Sequence, residues 1–339
     1  MIQTASRRSA PNALLVMNPR FRSDVYSREV REQLDTMVRW VAPDQTVDSL
    51  HSRLSLLRDV ELIFTGWGAP VLNRTLLDSA PALRAVFYGG GSIRHLVTQD
   101  FWERGILITS AYAMNARPVA AYAVGAILLS LKYFWNQLRR QTGGAAPSLP
   151  VPPPGTFRST VGLVSMSQTG RRVAQLLAPH ELKILAYDPY LTPSEAKTLG
   201  VSQTTLDDLF RRSDVVSLHA PLLPETAGLI TGDLVRSMKV GSTLINTARG
   251  GLIREDQLQV ALAGRPDLTA VLDVTVEEPP GSDSPLFRLP NVLHTPHIAG
   301  SQGVECHRLG HCMVDELQRY LSGEPMHWTI SQEKLVILA

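Results

Sequence analysis

The chain has 339 residues, 44% hydrophobic and 19% charged, with a formal net charge of +2. That is the composition of a globular protein with room for two domains, and the small, unclustered charge excludes the basic field of a nucleic-acid binder. The opening residues, MIQTASRRSAPN, hold no apolar segment of the signal-peptide kind, and the most apolar stretch, 119–131, is too short to span a bilayer.

Short β-rich runs alternate with helical patterns along the whole chain, the mark of a parallel α/β architecture. In the first third, strands are expected near residues 13–17, 60–65, 84–88 and 106–110. A helix over 116–135 follows, apolar nearly all the way round (Val119, Tyr122, Val124, Ile127, Leu128, Leu131 and Phe134). Such a helix needs cover on two sides. One side can lie on a sheet, and the other calls for a domain or a second copy of the chain, so a homodimer through this helix is expected. The stretch GGAAPSLPVPPPG, 143–155, reads as a loop. Beyond it, strands are expected at 161–164, 183–187, 215–219, 243–246, 270–274 and 292–294. An amphipathic helix over 304–322 ends at Gly323. Cys306 and Cys312 are the only cysteines. On one helix they would stand about 9 Å apart, too far for a disulfide, which points to a reducing cytoplasm. Two domains joined by two helical crossings, one domain being discontinuous, accommodate this order.

The run VGLVSMSQTG, 161–170, is an apolar strand ending in small residues, and the amphipathic RRVAQLLAPHEL follows at once. A dinucleotide-binding turn carries G-x-G-x-x-G at such a place: one glycine for the tight turn, one for the approach of pyrophosphate, one for helix packing. Here Ser165, Ser167 and Gly170 occupy the three positions. Gly170 keeps the third task. A serine forced to positive φ costs roughly 1–2 kcal/mol, enough to weaken cofactor binding by about five- to thirtyfold. Hydroxyls donating to phosphate oxygens would offset part of that, and a plain strand–turn–helix of small residues fits the stretch as well. Asp188, ending the next strand in LKILAYDP, favours a cofactor site. A carboxylate there accepts from ribose hydroxyls and repels a 2′-phosphate, so NAD is preferred to NADP. An Asp before Pro189 is also common as a simple turn residue.

Four further segments follow in order: SDVVSLHAPLLPETAGLI (213–230), MKVGSTLINTARGGLIREDQL (238–258), AVLDVTVEEPP (270–280) and LPNVLHTPHIAGS (289–301). With the fingerprint they resemble the D-isomer-specific 2-hydroxyacid dehydrogenase family, clearly over residues 80–325 and more faintly before. The resemblance implies a Rossmann-type nucleotide-binding domain, 116–303, inserted in a flavodoxin-like substrate domain of 1–115 and 304–339. It also implies NAD as cofactor, a homodimer, and interconversion of a 2-oxo acid and a D-2-hydroxy acid.

Reducing a 2-oxo acid takes an anchor for the carboxylate, a proton donor at the carbonyl oxygen and a hydride donor held in line. The resemblance implies Arg249, in NTARGG, as the anchor, since a guanidinium can hold the carboxylate and polarise the carbonyl together. It implies His297, in TPHIAG, as the acid/base, and Glu278, in VEEPP, as the carboxylate that hydrogen-bonds and orients it. Glu277 is one place out of register. Asp273 matches the position that meets the nicotinamide carboxamide, and Gln168 and Thr169 those whose amides meet the pyrophosphate. Thr247, Ala248 and Gly300 line the cofactor beside Arg249 and His297. In the other domain, YGGGSIRHL, 88–96, matches a glycine-rich loop whose amides bind the substrate carboxylate, with Gly91, Ser92 and Ile93 at its centre. The family commonly has Asp where Ile93 stands, followed here by Arg94, a departure that bears on substrate identity. Trp67, in TGWGAP, and Met114 are candidates for pocket wall or for core.

His307 and His311 share an i, i+4 spacing near both cysteines, but no carboxylate completes a ligand set and no metal is expected. A binding protein that senses NAD(H) on the same fold is the alternative, motivated by Ser165 and Ser167. Such a binder has no need of Arg249, Glu278 and His297 together. The expected substrate is a small or medium 2-oxo acid, glyoxylate- or hydroxypyruvate-like. Phosphoglycerate fits less well, because the sequence ends soon after the last crossing helix. No nucleic-acid or membrane partner is expected.

Overall fold

The computed structural model describes residues 10–142 and 146–337. The first nine residues of the opening stretch and residues 143–145 of the Gly- and Pro-rich loop lie outside the described residues. The chain divides into two compact units, one built from residues up to Asn115 and from Gln302 onward, the other from Ala116–Ser301.

The first unit carries β1 (Asn12–Val16), β2 (Arg39–Trp40), β3 (Leu62–Thr65), β4 (Ala85–Tyr88) and β5 (Leu107–Ser110), in the order β2-β1-β3-β4-β5. Every pairing is parallel. This is the flavodoxin-like order. Parallel strands are covered on both faces, which is why LIFT and AVFY are almost wholly apolar and buried at every position. Phe64 and Phe87 stack between them with ring centres 4.8 Å apart.

The second unit carries β6 (Thr160–Val164), β7 (Lys183–Tyr187), β8 (Ser202–Gln203), β9 (Val215–Leu218), β10 (Thr243–Asn246), β11 (Thr269–Leu272) and β12 (Val292–His294). Its sheet, also parallel, runs β12-β11-β10-β9-β6-β7-β8. Counted from β6, that is the doubly wound Rossmann order with one added strand, and the order reverses between β6 and β9. Ligands of such sheets bind beyond the carboxyl ends of the strands at this reversal. The two-residue strands β2 and β8 escaped the sequence reading, since two residues carry no periodicity.

The helix expected over 116–135 is two helices. Tyr112–Ser130 ends, Tyr133 takes a left-handed backbone (φ 53°), and Phe134–Gln141 leaves at a bend of 68°. The break is stabilised by Ser130, whose hydroxyl donates to Ala126 O (2.7 Å) and accepts from Trp135 Nε1 (2.8 Å). Ile127 and Leu131 are buried, whereas Ala121, Gly125 and Leu129 form an exposed i, i+4 row. Near the end of the chain the turn Gly303–Cys306 leads into the helix His307–Ser322, which stops at Gly323 (φ 72°). Cys306 and Cys312 are both buried. Among the described residues no single helix is long and apolar enough to cross a membrane.

Candidate active site

Ser165 follows β6 with φ 75°, the backbone of a glycine. Its amide donates to Tyr187 O (2.8 Å) and its hydroxyl to Asp188 Oδ2 (3.2 Å), which also accepts Met166 N–H (2.6 Å). Asp188 Oδ1 accepts Tyr190 N–H (2.8 Å), so the carboxylate is clamped across the turn at the end of β7. Ser167 has φ −60° and needs no glycine. It caps the helix Gln168–Leu177, accepting from Gly170 N–H at 3.4 Å and donating to His219 O at 2.8 Å. A Cβ on Gly170 would fall 2.1 Å from Ser165 O, so helix and strand meet here only because position 170 has no side chain. The Gln168 and Thr169 amides, at the start of the helix, have no acceptor within it and suit an anion. Turn, helix start and carboxylate at the strand reversal fit a dinucleotide.

Three loops at the carboxyl ends of β10, β11 and β12 carry the remaining residues. After β10, Asn246 accepts from Ala248 N–H (3.0 Å) and donates to Arg249 O (2.9 Å), shaping the loop that presents half-buried Arg249. The Arg249 guanidinium donates to Ala248 O (2.6 Å), and Thr247 is buried beside it. A Cβ on Gly250 would fall 2.0 Å from Thr275 C, so this loop is pressed against the segment that follows β11. In that segment Glu278 Oε1 accepts Thr275 N–H (3.2 Å), and Glu277 is exposed. After β12, His297 sits at φ 54° with Nδ1 2.6 Å from Glu278 Oε2. A carboxylate only accepts, so Nδ1 carries the proton of this bond and Nε2 is left for exchange with a ligand.

Asp273 is fully buried, and its side chain is spent on the loop that holds His297 and leads to Gly300. Oδ1 accepts Thr295 Oγ1–H (2.6 Å) and Ile298 N–H (2.9 Å), and Oδ2 accepts Ala299 N–H (2.8 Å). Asp273, expected at the carboxamide, thus also orders the loop that carries His297.

In the first unit, Trp67 follows β3, half-buried, edge-to-face with Phe21 at 5.3 Å, while Met114 packs into the core. Gly91 and Ser92 follow β4, with Ser110 Oγ near both Gly90 O (3.0 Å) and Gly91 O (2.5 Å). Ile93 is wholly buried among Leu72, Leu96 and Tyr88, so its side chain is core and only its backbone can serve a ligand. Arg94 donates to the carbonyls of Leu335 and Val336, tying the loop to the helix Gln332–Ile337. The departure at 93–94 is thus a change of packing.

Sequence reasoning missed Asn246, Thr295, Tyr122 and His219. An Asn at a strand end three residues before the arginine was a legible turn signal; the other three are recognisable only in space. His219 is buried with neither ring nitrogen hydrogen-bonded, and burial pushes its imidazole down to about 3. Among the described residues no three His, Cys, Asp or Glu are grouped to hold a metal, and His311 instead faces Glu29 at 3.9 Å.

Two parallel-sheet domains, one of them Rossmann-type, with an arginine loop and a histidine–carboxylate pair at its strand ends, define the class of protein. The family model described as D-isomer specific 2-hydroxyacid dehydrogenase, NAD binding domain, matches residues 126–299. The chain belongs to this family. It is 34% identical over 293 residues to D-3-phosphoglycerate dehydrogenase of Mycobacterium tuberculosis, covering 85% of this chain and 53% of that protein. It is 33% identical over 251 residues to (S)-sulfolactate dehydrogenase of Chromohalobacter salexigens, covering 74% and 81% respectively. Among solved structures, D-lactate dehydrogenase from Aquifex aeolicus, complexed with NAD and lactic acid, superposes with a TM-score of 0.70 at 25% identity. That match covers 92% of this chain and 96% of the other. The chain spans about half the length of the phosphoglycerate dehydrogenases it matches.

Proposed function

We propose that the protein is an NAD(H)-dependent oxidoreductase interconverting a 2-oxo acid and its D-2-hydroxy acid. The observation that carries this reading is the 2.6 Å contact of His297 Nδ1 with Glu278 Oε2, on the same strand edge as the Arg249 loop. A protein that only binds its ligand gains nothing from a proton donor held by a carboxylate on the sheet edge that also carries an arginine loop.

Arg249 anchors the substrate carboxylate and polarises the carbonyl. His297, charged, releases its Nε2 proton to the carbonyl oxygen as that oxygen gains negative charge, and recovers a proton in the opposite direction. Glu278 holds Nδ1–H throughout, so the imidazole keeps one orientation. The cofactor, when bound, supplies or accepts the hydride. Gln168 and Thr169 amides would hold its pyrophosphate and Asp188 its ribose, with Thr247, Ala248 and Gly300 lining the rest. The first unit serves as the substrate domain, its Gly91–Ser92–Ile93 backbone offering amides to an anion and Trp67 an apolar wall. The substrate is a small 2-oxo acid of the glyoxylate or hydroxypyruvate type, the working form is a homodimer, and the setting is cytoplasmic.

A panel of 2-oxo acids with NADH, followed at the nicotinamide absorbance, tests this. Steady NADH oxidation with at least one of them is expected. NADH binding without oxidation of any would favour a sensing role instead.

A further inference from the structure

We propose that Tyr122 is a positioning residue for the proton-transfer loop, acting through Thr295 and Asp273. The inference rests on the reading of His297 as acid/base. Three observations carry it. First, His297 is a non-glycine residue at φ 54°, a backbone that persists only where its surroundings enforce it. Second, the enforcement comes from Asp273: its carbonyl accepts His297 N–H (3.0 Å), and its buried carboxylate takes the Ile298 and Ala299 amides and the Thr295 hydroxyl. Third, Tyr122 Oη lies 2.9 Å from Thr295 Oγ1, although the two residues are 173 positions apart in the chain.

The direction of each bond follows from the inventory of protons. The Asp273 carboxylate accepts only, so the single hydroxyl proton of Thr295 goes to Oδ1. Thr295 Oγ1 is then the acceptor towards Tyr122, and the phenol must donate. The chain runs Tyr122 to Thr295 to Asp273, with the backbone of the His297 loop gathered at its end. Tyr122 stands on the helix Tyr112–Ser130, an element separate from the loop, between the buried Ala120 and Ala123. The phenolic hydroxyl thus ties this helix to the loop by a hydrogen bond. Its loss frees the threonine hydroxyl to turn away from Asp273 and loosens the loop, with no contact to the cofactor turn at Ser165–Gly170 altered.

Amide hydrogen exchange on the full chain tests the relay without reference to activity. In Tyr122→Phe the Ile298 and Ala299 amides should exchange about fivefold faster, the effect of one net hydrogen bond on a local opening equilibrium. Thr295→Val should do the same, Thr295→Ser should stay near wild type, and Tyr122→Phe added to Thr295→Val should change nothing further. Kinetics supply the second arm: kcat for 2-oxo acid reduction falls about fivefold in Tyr122→Phe while the NADH dissociation constant stays within about twofold. Unchanged exchange at 298 and 299, or effects of the two substitutions that multiply, would overturn the relay. Faster exchange with wild-type kcat would overturn its positioning role. Should no 2-oxo acid be turned over by the wild type, the proposed function fails by itself, and the exchange arm still decides the relay.

Discussion

Ser165 holds the left-handed backbone of a glycine, φ 75°, while its hydroxyl donates to Asp188 Oδ2 at 3.2 Å. The conformation is fixed inside the protein, by Tyr187 O, by Met166 N–H on Asp188 and by the approach of Gly170 to Ser165 O. A cost met within the protein falls on folding, so a stability effect stands against the expected loss of cofactor affinity of up to about thirtyfold, and the two are separable by experiment.

Ser165→Gly relieves about 1–2 kcal/mol of backbone strain. It loses about 1 kcal/mol of hydrogen bond and roughly 0.4–1 kcal/mol to the freer unfolded chain. Stability should thus stay within about 1 kcal/mol of wild type, with NADH affinity within about threefold. Ser167→Gly removes a helix cap at a cost of a few tenths of a kcal/mol. Urea denaturation and NADH fluorescence titration of the single and double variants check both figures. A tenfold tightening in the double variant would show that the strain is released only on binding.

Arg249→Ala and His297→Ala remove the proposed anchor and the proposed proton donor, and neither is part of the turn at Ser165–Gly170. Turnover should fall by about 10²–10⁴ for His297→Ala, with NADH binding retained. Glu278→Gln keeps the size of the side chain and weakens its hold on Nδ1, so an intermediate loss is expected. Steady-state rates beside NADH titrations separate chemistry from binding; wild-type rates in either alanine variant would remove these residues from the mechanism.

Much of this site was legible because parallel α/β folds place function at strand ends, and strand ends are readable. The runs before Ser165, Asp188, Arg249, Asp273 and His297 are apolar and bounded by small or polar residues, so each residue could be set on one sheet edge from sequence. The break at Tyr133 was not legible, because no glycine or proline marks residues 131–133 and the kink depends on Ser130 bonding to Ala126 O and Trp135. The fate of Ile93 and Arg94 was hidden for a similar reason: their partners, Leu72 and the carbonyls of Leu335 and Val336, are remote in sequence. The amide bonds of Asp273 were hidden too, since Ile298 and Ala299 become its neighbours only when β12 pairs with β11.

His219 makes acid stability testable. Burial lowers its imidazole from the ordinary 6.5 to about 3. Below pH 6.5 the unfolded chain binds a proton that the folded protein refuses, so stability is complete above that pH and declines as pH falls towards 3. The slope of about 1.4 kcal/mol per pH unit predicts a loss of about 2 kcal/mol between pH 6.5 and 5 from this residue. Because neither ring nitrogen has a partner, His219→Leu should lose less over the same interval. Denaturant titrations at pH 7 and pH 5 decide it; equal losses in the two proteins would exclude His219 as the cause.

The expected homodimer can be tested at the exposed row on the two broken helices. Leu129, Phe134 and Leu138 are 39%, 39% and 41% exposed, and Ala121 and Gly125 continue the row with side chains small enough for close backbone approach. An isologous contact meets every substitution twice, once from each copy. Leu129→Glu would bring two carboxylates to the centre of such a contact, and even 1.4 kcal/mol per copy would weaken association by about a hundredfold. Light scattering at micromolar concentration should return twice the 37.2 kDa chain mass for the wild type and a falling mass for Leu129→Glu. A wild-type mass near 37.2 kDa would leave the row without a second copy to cover it.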